Sequence, residues 1–317
     1  MDLAAYILER NKIIVLATPV TLVLALLSLL VLGAALLPQA RRYLPYLLVS
    51  LTGTLLAGFV ILAFYHLRIY ETVALPNPAT GLAAGRFKIP LWIEDEKLYF
   101  QALLVGLFAL AIARRRDGLS AAVGGLAGGL GLATALVSNP FAAPLPDLHE
   151  TLLRTSAGMA SPSPAQQMQA FGAAFSQMQY FYNSAYMWIH PPLLFVSYAA
   201  FAVSFVACIF MLLGKVKEHE KTAYDSAKLG YLALTFGILV GYPWAIAAWK
   251  DSPWWWAPKI NMALMLWFAY TGYLHSRLYL TRRGMWKTTA ILGIACFAAL
   301  VLTYLTTYVV PGTHSVA

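Results

Sequence analysis

Five tryptophans, Trp244, Trp249, Trp254, Trp255 and Trp256, fall within thirteen residues of a 317-residue chain that has only nine. They are interleaved with Pro and Ala in a loop between two long apolar segments. That pattern predicts a flat aromatic surface at a membrane face. Scattered Trp at a bilayer interface is ordinary, but this density exceeds what anchoring needs and suits the stacking of a large planar ligand. Two histidines stand where they could ligate such a group. His190 opens the fifth predicted helix and is followed by Pro191 and Pro192. Proline is tolerated in the first turn of a helix, so the pair pins the helix start and fixes where the imidazole points. His314 follows the last predicted helix, after Pro311, Gly312 and Thr313, at about the same depth. Imidazole is a usual axial ligand of haem iron, so the ligand suggested is haem. Spacing alone leaves the plainer reading open, in which both histidines are polar groups at the lipid boundary.

His275 is a different case. It lies in the seventh predicted helix, ~20 Å inward from the outer start at ~1.5 Å rise per residue. An ionisable group at that depth is costly and is functional by default. It reads either as a buried ligand of haem b or as a side chain bonded to a neighbouring helix. His66 ends the second predicted helix near the outer face, too far along the membrane normal to share an iron with His275. His149 stands beside Glu150 in an outer loop, and His219 among Lys and Glu in an inner loop, where a solvated imidazole is expected. The two cysteines, Cys208 and Cys296, form no CxxC, so neither thiol redox chemistry nor a Cys-based metal site is supported.

The elements that must position these residues are membrane helices. The chain is 60% hydrophobic and 11% charged, against about a quarter charged in soluble domains. The fold class expected is an all-α integral membrane protein with about eight transmembrane helices. They are placed at 13–37, 43–66, 98–113, 119–138, 187–213, 227–249, 261–280 and 288–310, each close to the ~20 residues that cross a bilayer. One set of loops carries 13 Lys/Arg and 4 acids, and the other side 9 of each, so the whole net charge of +9 lies on one face. The positive-inside rule makes that face cytoplasmic. Both termini and the Trp-rich loop are then extracytoplasmic, and the basic loops reflect topology rather than nucleic-acid binding. Two outer loops are long, 67–97 and 139–186. The stretch from Gln166 to Tyr182 reads either as an amphipathic helix on the membrane or as a lid. Glycines 124, 125, 128, 129 and 131 give the fourth helix a smooth side for close packing.

Four motifs in order resemble the CcmF/CcsA-type haem-handling proteins of cytochrome c assembly, named for a tryptophan-rich "WWD" domain. The first joins Ser138, Asn139, Pro140 and Phe141 to the segment from Trp188 through His190, Pro191 and Pro192 to Tyr198. The second is the tryptophan loop. The third is Tyr273, Leu274, His275, Ser276 and Arg277, and the fourth Gly312, Thr313, His314 and Ser315. The likeness covers about 138–317 and extends more weakly through the first four helices, dividing the chain into an N-terminal four-helix membrane region, 1–137, and a haem-handling-like region, 138–317.

The resemblance implies that His190 and His314 are the external axial ligands of haem b, and that His275 is the transmembrane haem ligand. It implies that Trp244, Trp249, Trp254, Trp255 and Trp256 cradle haem for delivery to an apocytochrome c. It also implies a membrane partner subunit and an extracytoplasmic active face on a bacterial or organellar inner membrane. It leaves open whether the chain is itself part of a cytochrome c haem lyase. Two positions depart from the family pattern, with Ala257 and Ile260 where the loop carries acids. These departures bear on ligase activity; the Trp surface and the histidines remain, with Lys250 and Lys259 to meet propionates. The alternative is a repurposed membrane subunit that holds haem b in, or anchors, a respiratory or multihaem cytochrome complex.

Overall fold

A computed structural model describes residues 2–214, 216–250 and 253–310. Among the described residues ten α-helices follow in order: α1 Leu3–Leu36, α2 Leu44–Thr72, α3 Glu96–Ala113, α4 Gly118–Leu136, α5 Pro146–Met159, α6 Pro164–Gln177, α7 Tyr186–Leu212, α8 Val216–Ala248, α9 Pro258–Arg282 and α10 Trp286–Val309. Seven of them, α1 to α4, α7, α8 and α10, are long and apolar enough to cross a membrane. The most exposed side chains of α1 include Val15, Leu16 and Leu22. A helix in water would turn charges outward there, whereas lipid is a solvent for leucine. The chain is an all-α integral membrane protein.

Helices stand at all eight expected positions, but seven rather than eight have the expected apolarity. The exception is α9, which has the length, 25 residues, but also carries Lys259, Asn261, His275, Arg277 and Arg282. Helix α1 starts ten residues earlier than expected, because Asp2 accepts a hydrogen bond from the Ala5 amide at 2.9 Å and caps it. The charged run at Glu9, Arg10 and Lys12 is therefore helical.

Contacts gather the chain into two compact units. One runs to Arg116 and resumes over Gly124–Trp188; the other takes Asp117–Val123 and the chain from Ile189.

In the first unit, α1 packs on α2 and α2 on α3. A side chain at Gly131 of α4 would meet Ser28 Oγ at 2.5 Å, so the smooth side of α4 lies against α1. The segments that follow α2 and α4 build a second core of their own. An antiparallel pair, β1 Ala74–Pro76 and β2 Ala83–Arg86, lies before α3. Tyr65, Val73, Leu75, Phe87, Leu148, Leu152, Met178 and Tyr182 are buried together there. The 139–186 segment holds two short helices, α5 and α6, and a π-turn over Met178–Tyr182.

In the second unit, Phe201, Leu234, Leu266, Tyr270, Tyr273 and Leu300 form the core. The rings of Phe201 and Tyr270 stack at 3.6 Å and 10°. Trp267 donates through Nε1 to Thr235 Oγ1 at 2.9 Å, tying α9 to α8. His219 is not solvated as expected: it lies in α8, 1% exposed, with its ring 5.4 Å from that of Phe210. Extension of α8 back to Val216 buries it.

Candidate functional site

His190 is the fifth residue of α7. Its Nδ1 lies 2.7 Å from the carbonyl oxygen of Gly237 on α8. A carbonyl only accepts, so Nδ1 carries the proton, and in the neutral ring Nε2 holds the lone pair. No hydrogen bond engages Nε2 among the described residues. An imidazole whose far nitrogen is bonded to a backbone carbonyl is the arrangement that orients metal-ligating histidines and raises their basicity. The indole of Trp244 flanks the ring at 6.2 Å and 27°, and Trp249 meets Trp244 edge-on at 4.6 Å and 71°.

The tryptophans do not form the single flat surface that their spacing predicts. Helix α8 runs to Ala248, so Trp244 belongs to its last turns and not to a loop. Trp254, Trp255 and Trp256 make one 3-10 turn. Trp254 is buried, with Tyr242 edge-on at 5.5 Å and Trp255 at 5.8 Å. Trp255 and Trp256 are 52% and 72% exposed and offer their faces outward. Successive residues on a tight turn point in different directions, and that breaks the plane. Asn261 donates to the Trp256 carbonyl at 3.2 Å and steadies the turn. Ala257, in the place of a loop acid, is buried.

His275 is on α9, about 25 Å from the start of that helix at ~1.5 Å per residue. It is exposed, and its Nδ1 takes up the Thr271 carbonyl one turn earlier, at 2.8 Å. It is bonded within its own helix, so bonding to a neighbouring helix is not what the structure shows. Nε2 has no hydrogen bond among the described residues. His314 lies outside the described residues. The structure therefore brings His190, Trp244 and Trp249 together and carries Trp254, Trp255 and Trp256 on the following turn. Among the described residues no group of three or more His, Cys, Asp or Glu could hold a bare metal ion. His190, with a lone-pair nitrogen beside the indoles of Trp244 and Trp249, is a donor arrangement that would fit haem.

Spacing did not single out Trp92. Pro191 has no N–H for the carbonyl four residues back, that of Met187; Trp92 Nε1 donates to that oxygen at 2.7 Å. Trp92 also meets Trp188 edge-on at 5.7 Å. The sequence signal was the proline pair itself, which guarantees a carbonyl in need of a donor.

The first unit holds a buried polar pair. His66 Nε2 is 2.6 Å from Glu96 Oε1, and His66 Nδ1 is 3.0 Å from the Ile89 carbonyl. The residues are 5% and 1% exposed, and Glu96 Oε2 has no partner among the described residues. Both ring nitrogens of His66 are thus occupied, and it is not a prepared ligand. Glu94 accepts from the amides of Asp147 and Leu148 at 2.8 and 3.3 Å and from Tyr182 Oη at 3.1 Å. It caps α5 from 53 residues away. Burial, then the charge of Asp147, pushes its carboxyl up from 4.5 to about 7. His149 packs its ring 5.7 Å from Tyr6, a packing role.

The family model described as "Cytochrome C assembly protein" matches residues 92–314. Similar curated proteins carry the name "Cytochrome c biogenesis protein CcsA". One from Prochlorococcus marinus is 40% identical over 90 residues, 28% of this chain and 27% of that protein. One from Trieres chinensis is 39% identical over 107 residues, 32% of this chain and 33% of that protein. One from Chlamydomonas reinhardtii is 32% identical over 147 residues, 42% of this chain and 41% of that protein. These matches span between about a quarter and two fifths of the relatives' length. No solved structure matches. The matched span takes in Trp92, the prepared imidazole of His190, the tryptophan turns and His275, and by that match the chain belongs to the cytochrome c assembly protein family.

Proposed function

We propose that the chain holds haem b at the extracytoplasmic face of an inner membrane and presents it for attachment to an apocytochrome c. One observation carries the reading: His190 Nδ1–H donates to the Gly237 carbonyl and leaves the Nε2 lone pair ready for iron. Bound haem supplies the vinyl groups to which an apocytochrome's thiols add. The chain asks little of its side chains as acids or nucleophiles; its work is orientation and proximity. His190 and His314 would hold the iron. Trp244 and Trp249 flank the imidazole, and Trp255 and Trp256 give the porphyrin a surface. Lys250 and Lys259 meet the propionates. His275 would hold a second haem in the membrane, together with a partner subunit. In this reading 1–137 is the membrane region that supports the haem-handling region, 138–317, and whether the chain takes part in the lyase step is decided by activity.

The test is a pyridine haemochrome spectrum of the detergent-purified protein, beside His190→Ala/His314→Ala and His275→Ala. Haem that falls in both variants supports two sites. Haem lost only with His275→Ala supports a haem-b subunit of a respiratory complex instead. Absence of haem from the wild type purified with its partners overturns the proposal.

A further inference from the structure

His190 lies where α8 has no side chain. A Cβ at Gly241 would stand 2.6 Å from both Cε1 and Nδ1 of the His190 ring. Real Cβ atoms do not approach ring atoms that closely, so any other residue at 241 moves the imidazole. We propose that Gly241 is a positioning residue for His190: its missing side chain lets the imidazole reach the Gly237 carbonyl and so fixes Nε2 as the lone-pair nitrogen. The proposal rests on the reading of His190 as an iron ligand.

Gly237 and Gly241 are one turn apart on α8 and share a face, but their surroundings differ. A Cβ at Gly237 would meet Leu194 Cδ2 at 2.8 Å and Leu193 Cβ at 3.5 Å. The close atom is the end of a flexible leucine, which can rotate away. At Gly241 the close atoms belong to the ring whose placement matters. Trp244, three residues further on, flanks that ring at 27°. A displaced imidazole loses the 2.7 Å bond to Gly237, and with it the preference for one tautomer. Glycine inside a helix is destabilising relative to alanine. Gly53→Ala on α2, where an added Cβ meets nothing within 4 Å, therefore brings the same gain in helix propensity as Gly241→Ala without touching the imidazole.

The experiment has three parts. In haem-free protein in micelles, 15N-histidine NMR reads the His190 tautomer, assigned by loss of its signals in His190→Gln. Wild type and Gly53→Ala show a protonated Nδ1 and a bare Nε2; Gly241→Ala loses that pattern. Titration with haem b then shows affinity about 10- to 100-fold weaker in Gly241→Ala, the range for lost outer partners of a ligand, and unchanged in Gly53→Ala. Third, whatever stability Gly241→Ala loses returns in Gly241→Ala/His190→Ala, where no ring is left to collide. A wild-type tautomer in Gly241→Ala, an equal loss in Gly53→Ala, or no relief in the double variant overturns the proposal. Haem binding undiminished in His190→Gln overturns the ligand reading alone, and the tautomer comparison still decides the role of Gly241.

Discussion

Replacing the His66–Glu96 pair one member at a time tests whether the first unit is built around it. Glu96 is 1% exposed, and among the described residues the only hydrogen bond of its carboxylate is the one to His66 at 2.6 Å. His66→Leu strips a buried carboxyl of its sole partner, which costs about 3–5 kcal/mol. Glu96→Leu is milder: His66 keeps the Ile89 carbonyl at 3.0 Å, and one unmade bond costs about 1–3 kcal/mol. The double replacement by leucine removes the buried charge with its partner and costs less than the sum, with a coupling of about 2 kcal/mol or more. Equilibrium unfolding in mixed micelles measures all four corners of the cycle. Additive costs within about 0.5 kcal/mol refute the account of a paired, desolvated site.

Other expected outcomes concern separate contacts. Glu94 has a folded-state pKa raised to about 7 from 4.5, so the folded chain binds more protons than the unfolded one between those values. Stability then falls as pH rises from 4.5 to 7, by at most about 3 kcal/mol because Glu94 keeps some contact with water; Glu94→Gln flattens that slope in melts across the window. Trp92→Phe leaves the Met187 carbonyl without the indole donor and costs about 1–3 kcal/mol, read as a lower midpoint of unfolding. Arg277 pairs with Glu220 and lies 3.6 Å over the Tyr224 ring. Arg277→Leu leaves Glu220 unpaired in a site where both side chains are 15% exposed, and destabilises the second unit by about 3 kcal/mol in the same assay.

The membrane helices were legible because apolar runs of bilayer length are a one-dimensional signal. Helix α9 shows the limit of that signal, since its polar residues lower its apolarity but not its length. The hairpin and α5 were not legible: each is short, and each is held by partners distant in sequence, as Glu94 holds α5. His66 and Glu96 are 30 residues apart, so nothing local announces their pairing. At the site, residue types pointed to His190 and the tryptophans. Spacing could not give the Gly237 carbonyl, which is a backbone group on another helix, nor the tilt of the indoles. Gly241 carried no signal as a lone glycine in a helical run; it gains meaning only once α7 lies against it.

The central claim is that His190 presents haem for attachment to a cytochrome. Its most direct test is the accumulation of covalently bound haem on a reporter apocytochrome c, in cells lacking the native gene and supplied with either wild type or His190→Ala at matched membrane levels. The account predicts holocytochrome with the wild type and its loss by about tenfold or more with His190→Ala, the cost of removing a metal's ligand or its support. Equal holocytochrome from both would contradict it.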